Sequence, residues 1–175
     1  MATSLSIRFD VWVAALESGY APHSRFVKWA DQMIERDAHQ PRWVLDLSLS
    51  KNAKEAERVL RLEWSRQSEF PANEAPALNE PGNLHVGFLY LRFKDGSLSM
   101  AELLRRAGDY TDGQGYDRVD EECEAFYYLL NEIDGGGPTI KSDRPLAQRV
   151  DELFAPFASA ARAGVPQLPG GPAAE

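Results

Sequence analysis

Three histidines, one cysteine and a crowd of carboxylates are the side chains of this 175-residue sequence with which chemistry could be done. His23, His39 and His85 each stand alone, and none falls into an HExxH or other metal-ligand spacing. His85, near the start of an apolar run, reads as a packed or capping residue. Cys123 sits on the apolar stripe of its helix between Glu122 and Glu124. A thiol so placed behaves as a small hydrophobe, and the neighbouring carboxylates disfavour its thiolate. Gly135-Gly136-Gly137-Pro138-Thr139 lacks the Lys-Ser/Thr of a phosphate-binding loop, and its glycines follow a helix where that loop precedes one. Asp109 to Gly115 has the outline of a calcium loop. Its sixth position is Gln114 instead of glycine, however, and its twelfth is Asp120 instead of glutamate. The expectation is a protein with no catalytic residues, no cofactor and no metal.

What survives that search is charge. Asp109, Asp112, Asp117, Asp120, Glu121, Glu122 and Glu124 place seven carboxylates within sixteen residues, offset by Arg118 alone. Helical spacing puts Asp117, Glu121, Glu124, Tyr128 and Glu132 on one face, opposite the apolar stripe. Carboxylates so crowded repel one another unless cations or a partner offset them. A solvated face is the plain alternative, because an acidic first turn also suits the positive end of a helix dipole. Tyr110, Tyr116 and Tyr128 lie amid the charge as aromatic anchors. The candidate partner-binding face therefore comprises Asp109, Tyr110, Asp112, Tyr116, Asp117, Asp120, Glu121, Glu124 and Tyr128.

The elements that must carry these residues follow a helical period nearly throughout. Phe9, Trp12, Val13 and Leu16 form one stripe stopped by Gly19; Phe26, Trp29, Ala30 and Met33 form a second. Leu45 to Leu49 alternates as a strand would, but no partner strand lies near, so a short helix after Pro41 is expected. Asn52 caps a helix through Ala56, Val59, Leu60 and Trp64. Pro71, Pro76 and Pro81 make 70–83 the longest internal loop. The segment 84–94 is apolar on nearly all sides, as a central helix is; its rival is a strand ending at Asp95-Gly96. Ser99 and Glu102 form a capping box for a helix ended by Gly108. Val119, Cys123, Phe126, Leu130 and Ile133 mark a helix over 116–133. Leu146, Val150, Leu153 and Phe154 mark a last one, with Pro156 near its end. The fold expected is all-α, a single-domain bundle of about six or seven helices over 1–163, with a disordered tail at 164–175.

Composition narrows the function classes. Nineteen basic against twenty-seven acidic residues leave a formal charge of −8. That charge disfavours nucleic acid and anionic membranes as partners, since both are bound through cations. One cysteine gives no internal disulfide. No stretch reaches the ~18 apolar residues of a spanning helix. Met1 to Arg8 shows no basic region followed by an apolar core, so a cytoplasmic protein is expected.

Trp29-Ala30-Asp31, the Trp43 to Ser50 stretch, and the run from Arg105-Arg106-Ala107-Gly108-Asp109-Tyr110 to Glu124-Ala125-Phe126 carry a resemblance over about residues 8–134. There the chain resembles the small all-helical immunity proteins that bacteria make against polymorphic or contact-delivered toxins. The resemblance implies an inhibitor that neutralises a cognate toxin by binding its basic surface. Two other readings compete with it. One is an intracellular adaptor or regulatory subunit that uses the 70–83 loop; the other is an enzyme with a divalent cation held by Asp109, Asp112 and Asp117.

Overall fold

Every residue from Phe9 to Leu16 is buried, so the first helix is the centre of a core and not an amphipathic element at its edge. Even Asp10 is buried there, its carboxylate held by Arg8 through Nε at 2.9 Å and a terminal nitrogen at 2.5 Å. The computed structural model describes residues 7–67, 79–113 and 121–170, apart from the side chains of residues 79–83, 113 and 121–123. Within them lie eight α-helices and no strand: α1 Phe9–Glu17, α2 His23–Arg36, α3 Arg42–Ser48, α4 Ala53–Gln67, α5 Asn79–Lys94, α6 Met100–Gly113, α7 Glu121–Asp134 and α8 Leu146–Gly164. The count is slightly above the six or seven expected. Of the two segments that alternate, Leu45 to Leu49 is helical except for its last residue, the cap of α3, and 84–94 is helical throughout. Among the described residues no helix is long and apolar enough to cross a membrane.

Two hydrophobic cores share α5. The first gathers α1, α2, α3 and α4 around Phe9, Trp12, Phe26, Trp43 and Leu60; Trp29 stacks on Trp43 at its rim. The second gathers α6, α7 and α8 around Leu103, Leu104, Phe126, Phe154 and Phe157. Leu84 and Phe88 of α5 point into the first, and Val86, Leu89 and Tyr90 into the second. A helix buried on all sides is what its unbroken apolar run demanded. Gly87 makes the closest approach: a Cβ there would stand 2.1 Å from the carbonyl oxygen of Phe157 on α8.

Local signals set several boundaries as expected. Gly19 turns the chain out of α1 at φ +73°, and Gly135 ends α7 at φ +70°, a region glycine enters without strain. Asn52 Oδ1 accepts from the Glu55 N–H at 3.0 Å, and Ser99 Oγ from that of Glu102 at 3.2 Å.

Other boundaries are corrected by tertiary contacts. The 70–83 loop is shorter than expected, because α5 begins at Asn79 and Pro81 falls in its first turn, where a missing N–H costs nothing; residues 70–78 lie outside the described ones. Gly108 does not end α6, which runs on to Gly113 with Gly108 buried beneath the Tyr127 ring. Pro156 sits inside α8, which continues eight residues further on its packing against α5. Ile133, expected at the end of the core stripe, is exposed. Ordered chain also extends past Gly164. A 3-10 turn, Val165–Gln167, brings Leu168 into the first core, where the Trp12 indole donates to the Gln167 carbonyl at 2.7 Å and Arg25 Nε to that of Pro169 at 2.5 Å. Residues 171–175 lie outside the described ones.

Candidate functional site

The predicted face falls on the α6–α7 hairpin. Arg105 reaches Asp134 at 3.6 Å, and the Tyr127 hydroxyl donates to Asp109 Oδ1 at 3.1 Å, so the helices run antiparallel. Gly108 permits this approach, since a Cβ there would stand 2.8 Å from the Tyr127 ring. The register that sets Asp109 against Tyr127 sets Asp112 against Glu124, one turn nearer the 114–120 connection. Asp109, Asp112 and Glu124 are exposed, and Tyr128 is half-buried. Tyr116, Asp117 and Asp120 lie outside the described residues. Glu121 opens α7, but its side chain also lies outside them.

Charge is unevenly spread along the hairpin. At the end away from the connection, Arg105 pairs with Glu102 and Asp134, and Arg149 of α8 grips Glu132 with two bonds of 2.8 Å. Glu132 thus belongs to the α7–α8 contact and not to the free face. At the connection end, Asp109, Asp112 and Glu124 form no ion pair with any cation among the described residues. Among the described residues, the hairpin's carboxylates are therefore matched by cations at one end and unmatched at the other.

Tyr110 does not stand out as an anchor. Its half-buried ring lies flat on His85 of α5, with centroids 3.8 Å apart and planes 6° apart. Beneath it is a polar junction that no sequence motif announced, where α1, α4, α5 and α6 meet. Arg61 of α4 bridges Glu17, the last residue of α1, and Glu57, the latter through Nε at 2.7 Å. His85 Nδ1 is buried without a hydrogen-bond partner. The Glu17 Oε2 atom stands 3.8 Å from it, too far for a hydrogen bond. Burial, reinforced by the Arg106 and Arg61 guanidiniums, pushes the imidazole down to about 3, so it is neutral near pH 7 and makes no ion pair with Glu17. Burial raises Glu17 as well, and Arg61 opposes that rise. Arg92 and Arg106 both donate to the Ser18 carbonyl, at 2.7 and 3.3 Å, where they answer the negative end of α1. The sequence carries only a slight signal of the junction: a carboxylate closing an otherwise apolar helix, and a Glu57–Arg61 pair at i, i+4.

Among the described residues no group of three or more His, Cys, Asp or Glu is arranged to hold a metal ion. The trio Asp109, Asp112 and Asp117 is not judged by this, since Asp117 lies outside them. No family model matches the chain, and no curated protein or solved structure matches it either.

Proposed function

We propose that this protein is a binding inhibitor of the immunity-protein type, which neutralises a cognate bacterial toxin by laying the acidic end of its α6–α7 hairpin on a basic surface. One observation carries the reading. Asp109, Asp112 and Glu124 stay exposed and have no cationic partner among the described residues, while carboxylates at the other end of the same hairpin are matched by Arg105 and Arg149. Unmatched like charge is a standing electrostatic cost, and a cationic partner removes it. Such a face speeds encounter and rejects acidic partners, and it needs no chemistry of its own. The two packed helices beneath it supply a rigid platform, which lowers the entropy lost on docking.

The decisive experiment is capture from the native cell on wild-type protein and on an Asp112→Lys/Glu124→Lys variant, followed by association kinetics with the captured toxin domain. The variant should associate about tenfold or more slowly, with a flatter salt dependence and unchanged helicity. Equal association by both proteins would remove the hairpin from the binding face.

A further inference from the structure

Two large apolar side chains that remain exposed, Leu49 at 75% and Leu62 at 52%, line one groove of about 600 Å³ between α3 and α4. Its other walls are Arg42, Asp46, Ser50, Glu55, Arg58 and Val59. Two cations and two anions ring the leucines, so this patch is locally balanced on a chain whose formal charge is −8.

The order of residues along α4 says what fits there. Glu55, Val59, Leu62 and Arg66 recur at i, i+4, i+7 and i+11, which makes them one stripe of the helix. The stripe is antisymmetric about the midpoint between Leu60 and Arg61: an anion at one end, a cation at the other, an apolar pair between. When a second copy is laid against it end for end, Arg66 faces Glu55 and Leu62 faces Val59, and both matches occur twice. A two-fold interface imposes that condition, because one patch must meet itself. Arg66 has an intrachain contact to Glu63, but it is long, at 3.7 Å, and the exposed arginine is easily exchanged to another carboxylate.

We infer that the α3–α4 groove is a self-association surface, in which two copies pack antiparallel along the Glu55–Val59–Leu62–Arg66 stripe with Leu49 of each closing its flank. Two highly acidic molecules repel over most of their surfaces, and this balanced patch is where they meet without that penalty. α3 and α4 belong to the first core and α6 and α7 to the second, so pairing here leaves the acidic hairpin end free on both copies.

Sedimentation equilibrium of the full chain from about 1 to about 200 µM, at about 150 mM salt, tests this. The mass should rise with concentration towards twice the 19.5 kDa of the chain. Leu62→Glu places a charge at both apolar matches and should raise the dissociation constant about a hundredfold or more. Arg66→Glu sets glutamate against Glu55 and should weaken pairing about tenfold; adding Glu55→Arg restores a self-complementary stripe and should recover it. Both residues are exposed or half-exposed, and helicity by circular dichroism checks that each variant is folded. A wild-type mass of one chain throughout the range overturns the inference. So does a Leu62→Glu protein that pairs as the wild type does, or an exchange that fails to rescue Arg66→Glu.

Discussion

His85 and Tyr110 are stacked face to face, one ring from α5 and one from α6, and the imidazole nitrogen beneath that stack has no hydrogen bond. Stacking covers one face of the imidazole, and Arg61 and Arg106 discourage its protonation, so the folded protein holds this histidine neutral. The cost of that arrangement is paid as acid sensitivity.

A free histidine protonates near 6.5, whereas His85 is held down to about 3. Its contribution to stability is therefore complete above about 6.5 and is lost as pH falls from there towards 3. Glu17, raised by burial, acts in the opposite sense: its contribution is full at low pH and declines as pH rises through the carboxylate range. Urea midpoints measured from pH 7.5 to 3.5 should fall more steeply for the wild type than for His85→Phe, which keeps the stack and cannot protonate. Parallel curves would refute the assignment.

Glycines at two helix crossings differ in what they face. A Cβ at Gly87 meets the backbone of Phe157, which cannot move aside, and one at Gly108 meets the end of a Tyr127 ring, which can. Gly87→Ala should cost about 3 kcal/mol or more, Gly108→Ala about 1 kcal/mol. Denaturant unfolding of the two variants in parallel checks the order as well as the sizes.

Leu168 closes the first core from a segment whose composition suggests no structure. Leu168→Ala should cost about 2–4 kcal/mol by leaving a cavity beside α1. Trp12→Phe, which removes the indole donor to the Gln167 carbonyl, should cost about 1 kcal/mol beyond its change in volume. Tryptophan fluorescence during unfolding reports both.

The Arg149–Glu132 pair is bidentate and largely shielded from water. Breaking it from one side strands the other charge, so Arg149→Met should cost about 1–3 kcal/mol and Glu132→Gln/Arg149→Met less than the sum of the single changes. A double-mutant cycle in chemical denaturation supplies the comparison.

Helices were legible from the residues alone, because the 3.6-residue period, the Asn52 and Ser99 caps and the Gly19 and Gly135 stops act over a single turn or two. So was the acidic concentration at 109–124, since charge is counted and not folded. Which carboxylates elsewhere on the hairpin are matched was not legible: Arg149 lies seventeen residues from Glu132, and only the packing of α8 on α7 brings them together. Gly108 and Pro156 read as stops because local propensity ends helices there, yet Tyr127 and the α5 contact carry both helices onward. The turning of Tyr110 onto His85, the Glu17–Arg61 bridge and the burial of Leu168 each join parts of the chain distant in sequence. Periodicity reports which face of a helix is apolar, and it is silent about what that face will meet.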